Sequence, residues 1–171
     1  MRAALQAWYD RARQVIDGRD LLLLTPPGIL SILARGAYCR WTGTQLPPCD
    51  NLDARDEALV DVFADLARTL GRYYFRLQLR GVENVPASGP AILVGNHNGG
   101  ALPLDSLFTA LAIYDGLGPS RVVHGLAHDA LFFDPKIRDY ALRLGVVRAR
   151  PGVADQVLVR GRLVLVYPRS D

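Results

Sequence analysis

Residues 90–105 read PAILVGNHNGGALPLD. The apolar run Ala91-Ile92-Leu93-Val94, bounded by Pro90 and Gly95, has the length and flanks of a buried strand. Pro103 suits the first turn of a following helix, where its missing N–H leaves no bond unmade. His97 therefore falls where a strand ends and a helix is about to begin. In open α/β sheets, ligands bind beyond the carboxyl ends of the strands. A titratable side chain on this glycine-rich loop is a candidate for chemistry.

That chemistry would be general base catalysis. A neutral imidazole can take a proton from an alcohol near pH 7, and a carboxylate can fix its tautomer and stabilise the imidazolium. Asp105 is the nearest carboxylate downstream, and the Gly99-Gly100 pair lets the loop bridge the separation. Two plainer roles stand beside this one. His97 could hydrogen-bond the loop backbone, and Asp105 could complement the dipole of the helix it begins.

Asn96-His97-Asn98-Gly99-Gly100, followed by Asp105, resembles the first motif of the glycerolipid acyltransferase superfamily. These are enzymes of the lysophosphatidate and glycerol-3-phosphate acyltransferase type. The usual spacing places the Asp four residues past the His. This chain is similar to a divergent branch with Asn-His-x-Gly-Gly and a longer gap. The resemblance runs from about Leu77 to Tyr167 and implies that His97 is the base and Asp105 its orienter.

Two further blocks extend it. Gly145-Val146-Val147-Arg148-Ala149-Arg150 resembles the second motif, whose arginine contacts the acceptor's phosphate, so Arg148 and Arg150 are both candidates. A guanidinium fork suits that ligand, although an exposed strand end would carry the same residues. Leu165-Val166-Tyr167-Pro168 resembles the start of the third motif, which makes Tyr167 and Pro168 candidate acceptor-site residues. The family then continues with a glycine-rich turn, whereas this sequence reads Arg169-Ser170-Asp171, and the fourth family block is absent. The resemblance thus implies a member truncated at its C-terminus.

The implied reaction is O-acyl transfer from acyl-CoA or acyl carrier protein, as co-substrate, to a glycerolipid-type or other lipid alcohol. No metal or bound cofactor is implied. Asn98, Gly99 and Gly100 would offer backbone N–H groups to the developing oxyanion. The alternative from another class is an inactive truncated relative that binds lipid or a partner. A serine hydrolase is disfavoured because the sequence has no Gly-x-Ser-x-Gly elbow.

The rest of the chain bounds the setting. Its 171 residues suit one domain, and with half of them hydrophobic and 22% charged the chain is globular rather than disordered. We expect residues 1–50 to form an N-terminal helical segment that associates with membrane, and residues 51–171 the acyltransferase-like domain. Cys39 and Cys49 lack metal-type partners, no secretory signal precedes them, and we expect reduced thiols. Residues 1–135 hold 12 basic and 14 acidic side chains, whereas residues 136–171 hold 8 and 3. The basic C-terminal part suits an anionic substrate or membrane surface. Nucleic acid is a weaker choice, because no binding motif accompanies the charge.

Residues 2–17 have helical spacing of Leu5, Trp8, Tyr9, Ala12 and Ile16. Leu21–Leu24 and Ile29–Ala34 are apolar but are split by Pro26-Pro27-Gly28, so an ordinary transmembrane helix is not expected. With Trp8 and the arginines, this region is the expected membrane-docking part, on the cytoplasmic face. Residues 41–51 read as a loop, with Asp50 or Asn51 capping a helix striped by Leu59, Val62, Phe63, Leu66 and Leu70. Residues 73–80 alternate and predict a half-buried strand.

After the motif we expect a helix at 103–116, a strand at 121–125, a helix at 136–144, a strand at 145–148, a helix at 153–160 and a strand at 162–167. Alternating strands and helices argue for an α/β domain with a mainly parallel sheet flanked by helices, and an N-terminal helical segment. His124 and His128 have ligand-like spacing, but without a nearby third ligand they more readily cap or pack.

Overall fold

A computed structural model describes residues 1–18, 20, 26–96 and 104–168. The described helices are α1 (Arg2–Val15), α2 (Pro26–Trp41), α3 (Glu57–Leu70), α4 (Leu104–Leu117), α5 (Pro135–Arg143) and α6 (Pro151–Val159). The described strands are β1 (Ala91–Val94), β2 (Val123–Ala127), β3 (Val146–Arg148) and β4 (Leu163–Val166). They form one sheet in the order β1-β4-β2-β3, with every pair parallel. Helices connect the strands, as parallel pairing requires. The fold class is therefore the expected α/β one, and the sheet is wholly parallel.

Register fixes the two faces. Ile92 pairs Val164, Val164 pairs His124, and Leu126 pairs Val147, so these side chains share one face. Helix α6 covers the middle of it, where Val153 and Val157 meet Val147, Val164 and Leu52. Against the other side packs α4, itself under α3, through Phe108, Leu111, Ala64 and Ala67. Helix α1 closes the stack. Its Ala12, with Ile16 just past its end, meets Leu59 and Val62 of α3, and the Trp8 indole donates to the Val62 carbonyl at 2.9 Å.

Local chemistry explains the helix starts. Asp56 caps α3 by accepting from the Leu59 N–H at 3.2 Å, and it also holds Arg143 at 2.7 Å. The expected cap at Asp50 or Asn51 is displaced because the Asn51 side chain accepts from the Asp53 N–H instead. Pro135 and Pro151 open α5 and α6, and Asp134 caps α5. Arg121 is buried and donates to the carbonyls of Pro86, Gly89 and Gly161, which ties the turns before β1 and β4 together.

The expected strand at 73–80 does not form. Helix α3 runs on as a wider π turn, Gly71–Phe75, and Arg76 then enters the left-handed region at φ 51° and ends it. Leu77 folds back onto Gly71 and Phe108, while the residues around it stay exposed. The alternation is present in the sequence, but neither face is buried against a sheet, so it selects no strand. Leu21–Leu24 lie outside the described residues. Cys39 and Cys49 are free thiols, and among the described residues no helix is long and apolar enough to cross a membrane.

Candidate active site

The parallel sheet brings the carboxyl ends of all four strands to one edge. Each expected motif follows one of those ends. Residues 95–105 follow β1, Arg148 closes β3 with Arg150 just beyond, and Tyr167-Pro168 follow β4. His97, Asn98, Gly99 and Gly100 lie outside the described residues, as do Arg169, Ser170 and Asp171. What is described is the frame that holds the loop at both ends.

One end is Gly95. Its N–H donates to the Val166 carbonyl at 3.1 Å, which carries the β1–β4 ladder past the strand end. The Tyr167 ring lies directly over Gly95, and a Cβ there would meet Cε1 at 2.6 Å. The other end is Asp105, in the first turn of α4, where its Oδ1 accepts from the Ser106 N–H at 2.8 Å. The Tyr167 hydroxyl shares a 2.8 Å hydrogen bond with Thr109 on the same helix. Burial raises the Tyr167 pKa and so does the nearby Asp105 charge, against the hydrogen bonds of Thr109 and Ser106. Tyr167 thus joins the third expected motif to both ends of the first.

The arginines are set apart from this cluster. Strand β3 is three strand spacings from β1, about 14 Å. Arg148 is 8% exposed, and its Nε and Nη2 donate to the two carboxylate oxygens of Asp129. That pairing, above all the hydrogen bond, holds the Asp129 carboxyl below the usual carboxylate range. Arg150 is exposed, and its charge acts on Asp129 alongside Arg148 and His128. Pro168 is exposed as well.

The two remaining histidines have other partners. His124 is fully buried on β2, with Nδ1 3.0 Å from the Gly145 carbonyl and Nε2 3.2 Å from Arg162 Nη1. Arginine can only donate, so Nε2 accepts and Nδ1–H donates. Burial above all pushes the His124 pKa down to about 4, which keeps the ring neutral. His128 caps the turn Asp129–Phe132 by accepting from the Ala130 N–H. Among the described residues no three His, Cys, Asp or Glu side chains are grouped to hold a metal ion. A recess lined by Leu52, Asp53, Arg55, Glu57, Val122 and Arg162 opens at the opposite, amino-terminal edge of the sheet.

Thr109 and Asp129 were not singled out from sequence. Thr109 carried a signal, because it lies four residues after Asp105 and so on the same helix face. Asp129 carried none, because its role depends on β2 lying beside β3.

The family model described as Acyltransferase matches residues 76–169. An uncharacterised protein of Mycobacterium tuberculosis (strain H37Rv) and one of Mycobacterium bovis are each 36% identical over 105 residues, covering 61% of this chain and 29% of the relative. A Mycobacterium leprae protein, also uncharacterised, is 34% identical over 97 residues, covering 57% and 26%. The chain thus spans less than a third of the length of these relatives. No solved structure gives a significant match. The chain belongs to the acyltransferase family, within the glycerolipid acyltransferase superfamily.

Proposed function

We propose that this protein is an O-acyltransferase that moves a fatty acyl group from acyl-CoA or acyl carrier protein to a lipid alcohol, with His97 as base. His97 takes the hydroxyl proton as the alcohol oxygen attacks the thioester carbonyl. The tetrahedral intermediate collapses, the C–S bond breaks, and the thiolate leaves with the proton returned by the imidazolium. Asp105 orients His97 and stabilises its charged form. Asn98, Gly99 and Gly100 supply the backbone N–H donors for the oxyanion, each worth roughly 3 kcal/mol when aligned. Arg150, and Arg148 once it exchanges Asp129 for ligand, attract the acceptor's phosphate. The reaction needs no acyl-enzyme and no bound cofactor.

One observation carries the reading. The β1–β4 pairing sets Tyr167 against Gly95 and within reach of the Asp105 field, so the ends of the loop that bears His97 are fixed on one rigid edge. Positioning of that kind is what a two-substrate transfer requires. The test is thioester consumption with lysophospholipids, glycerol-3-phosphate and diacylglycerol, comparing the chain with His97→Ala and Asp105→Asn. Loss of at least a hundredfold in both variants is expected, and turnover equal to wild type in His97→Ala overturns the assignment.

A second reading, a lipid-binding protein without turnover, draws on the Arg148–Asp129 pair, which already saturates one phosphate candidate. It predicts acceptor binding without thioester loss in the same assay.

A further inference from the structure

The turn from Gly71 to Arg80 reads GRYYFRLQLR, and three consecutive aromatic rings of it are exposed. Tyr73 is 46% exposed, Tyr74 73%, Phe75 41% and Leu79 44%. Residues 66–82 contain four arginines and no carboxylate. Arg68 is already bound to Asp65 and Asp115, which leaves Arg72, Arg76 and Arg80 to set the charge of the surface.

The shape is held from below. Leu77 turns in toward Gly71 and Phe108, and the Phe75 ring meets Phe108 edge-on at 5.4 Å. Tyr74 stacks edge-on against Phe75 at 4.8 Å, and the Arg72 guanidinium lies 5.4 Å from the Tyr73 ring centre. The left-handed Arg76 reverses the chain, so both limbs of the turn face solvent. The result is a knob of tyrosines and guanidinium groups in which, among the described residues, no carboxylate forms an ion pair with Arg72, Arg76 or Arg80.

We propose that this knob docks the protein on an anionic phospholipid bilayer. Tyrosine has an apolar ring and a polar tip, which suits the headgroup layer. Three unopposed arginines complement a negative membrane surface, at an attraction that scales with their number. A protein partner would have to supply a run of carboxylates to match the same charge, whereas an anionic bilayer presents that charge continuously. The knob is also placed to matter. Phe108, its anchor, lies about one helical turn from Asp105, so docking here brings the carboxyl edge of the sheet close to the lipid. The docking itself does not depend on the acyl-transfer reading.

A second exposed apolar surface lies on α2, at Leu30, Tyr38 and Trp41, and it serves as the comparison. The experiment is flotation of the full chain with vesicles of phosphatidylcholine alone, or with about one third phosphatidylglycerol. Wild type should bind the anionic vesicles and lose binding in high salt. Arg72→Gln/Arg76→Asn/Arg80→Gln should lower the partition coefficient about a hundredfold, and Tyr73→Ser/Tyr74→Ser about tenfold. Leu30→Ser/Trp41→Ser should change it less than threefold. Circular dichroism and melting checks select variants that keep the native fold. The proposal is overturned if wild type binds neither vesicle, if natively folded knob variants bind like wild type, or if binding is lost only in the α2 variant. It is also overturned if Tyr73→Ser/Tyr74→Ser abolishes self-association in solution while leaving vesicle binding intact.

Discussion

The ring of Tyr167 occupies the place where Gly95 would carry a side chain. A Cβ at that position would stand 2.6 Å from Cε1 and 3.1 Å from Cδ1. The residue that follows β1 and the residue that follows β4 are therefore matched in size.

Gly95→Ala must move the ring, and with it the bond to Thr109. We expect a stability loss of about 1–3 kcal/mol, the usual cost of overpacking, and at least tenfold slower thioester turnover. Gly152→Ala, where a Cβ meets nothing within 4 Å, is the matched control and should be near neutral. Tyr167→Phe keeps the ring and loses the Thr109 bond, at about 1 kcal/mol. Urea denaturation beside the turnover assay reads all three.

Asp129→Asn should lower the urea midpoint at pH 7, because Arg148 loses its charged partner. The folded-state pKa of Asp129 is depressed. Its contribution is thus fully present above the unfolded carboxylate value, about 3.9, and is lost as pH falls through the folded value. Wild type and variant should differ at pH 7, and the gap should narrow as pH falls below the unfolded carboxylate value. A constant difference across that range would refute the ionic account.

His124 predicts a slope at higher pH. The unfolded ring titrates at about 6.5, the folded one at about 4. Between those values the unfolded chain binds more protons, so stability falls as pH falls. The full loss is about 3 kcal/mol by pH 4. His124→Gln should be less stable at pH 7 and should flatten this part of the stability profile. Midpoints measured at half-unit intervals from pH 7 to pH 4 check it.

Arg121→Gln removes most of the donors that three backbone carbonyls share. Leaving such acceptors unpaired costs roughly 1–3 kcal/mol each where water cannot replace the donor. We expect about 3 kcal/mol in total, with early loss of amide protection at Gly89–Ala91 in hydrogen exchange.

Much of this architecture was legible in the sequence because it is local. Pro90 and Gly95 bracket β1, and the stripe of α3 repeats at helical spacing, whereas α6 starts two residues before its expected position because Pro151 opens it. Strand β2 was placed two residues early because Arg121 and Val122 have strand-like neighbours, yet Arg121 spends its donors on turns. Residues 73–80 were misread because alternation reports a face only when something covers it. The strand order was not legible. It decides that Tyr167 meets Gly95 and that Arg148 meets Asp129, and both pairings cross large sequence separations.

That order has a consequence for how the molecule is made. Strand β1 is paired only with β4 among the described strands, and β4 is also the link from β1 to β2. A nascent chain that has already delivered residues 91–148 can join β2 to β3, while β1 waits without a hydrogen-bonded neighbour. Closing such a distant pair delays the gain that offsets the loop entropy. The edge of β1 is exposed to wrong pairings during that interval. The ribosome must release residues 163–166 before the ends of the His97 loop acquire their fixed places, so the first motif made is the last one set.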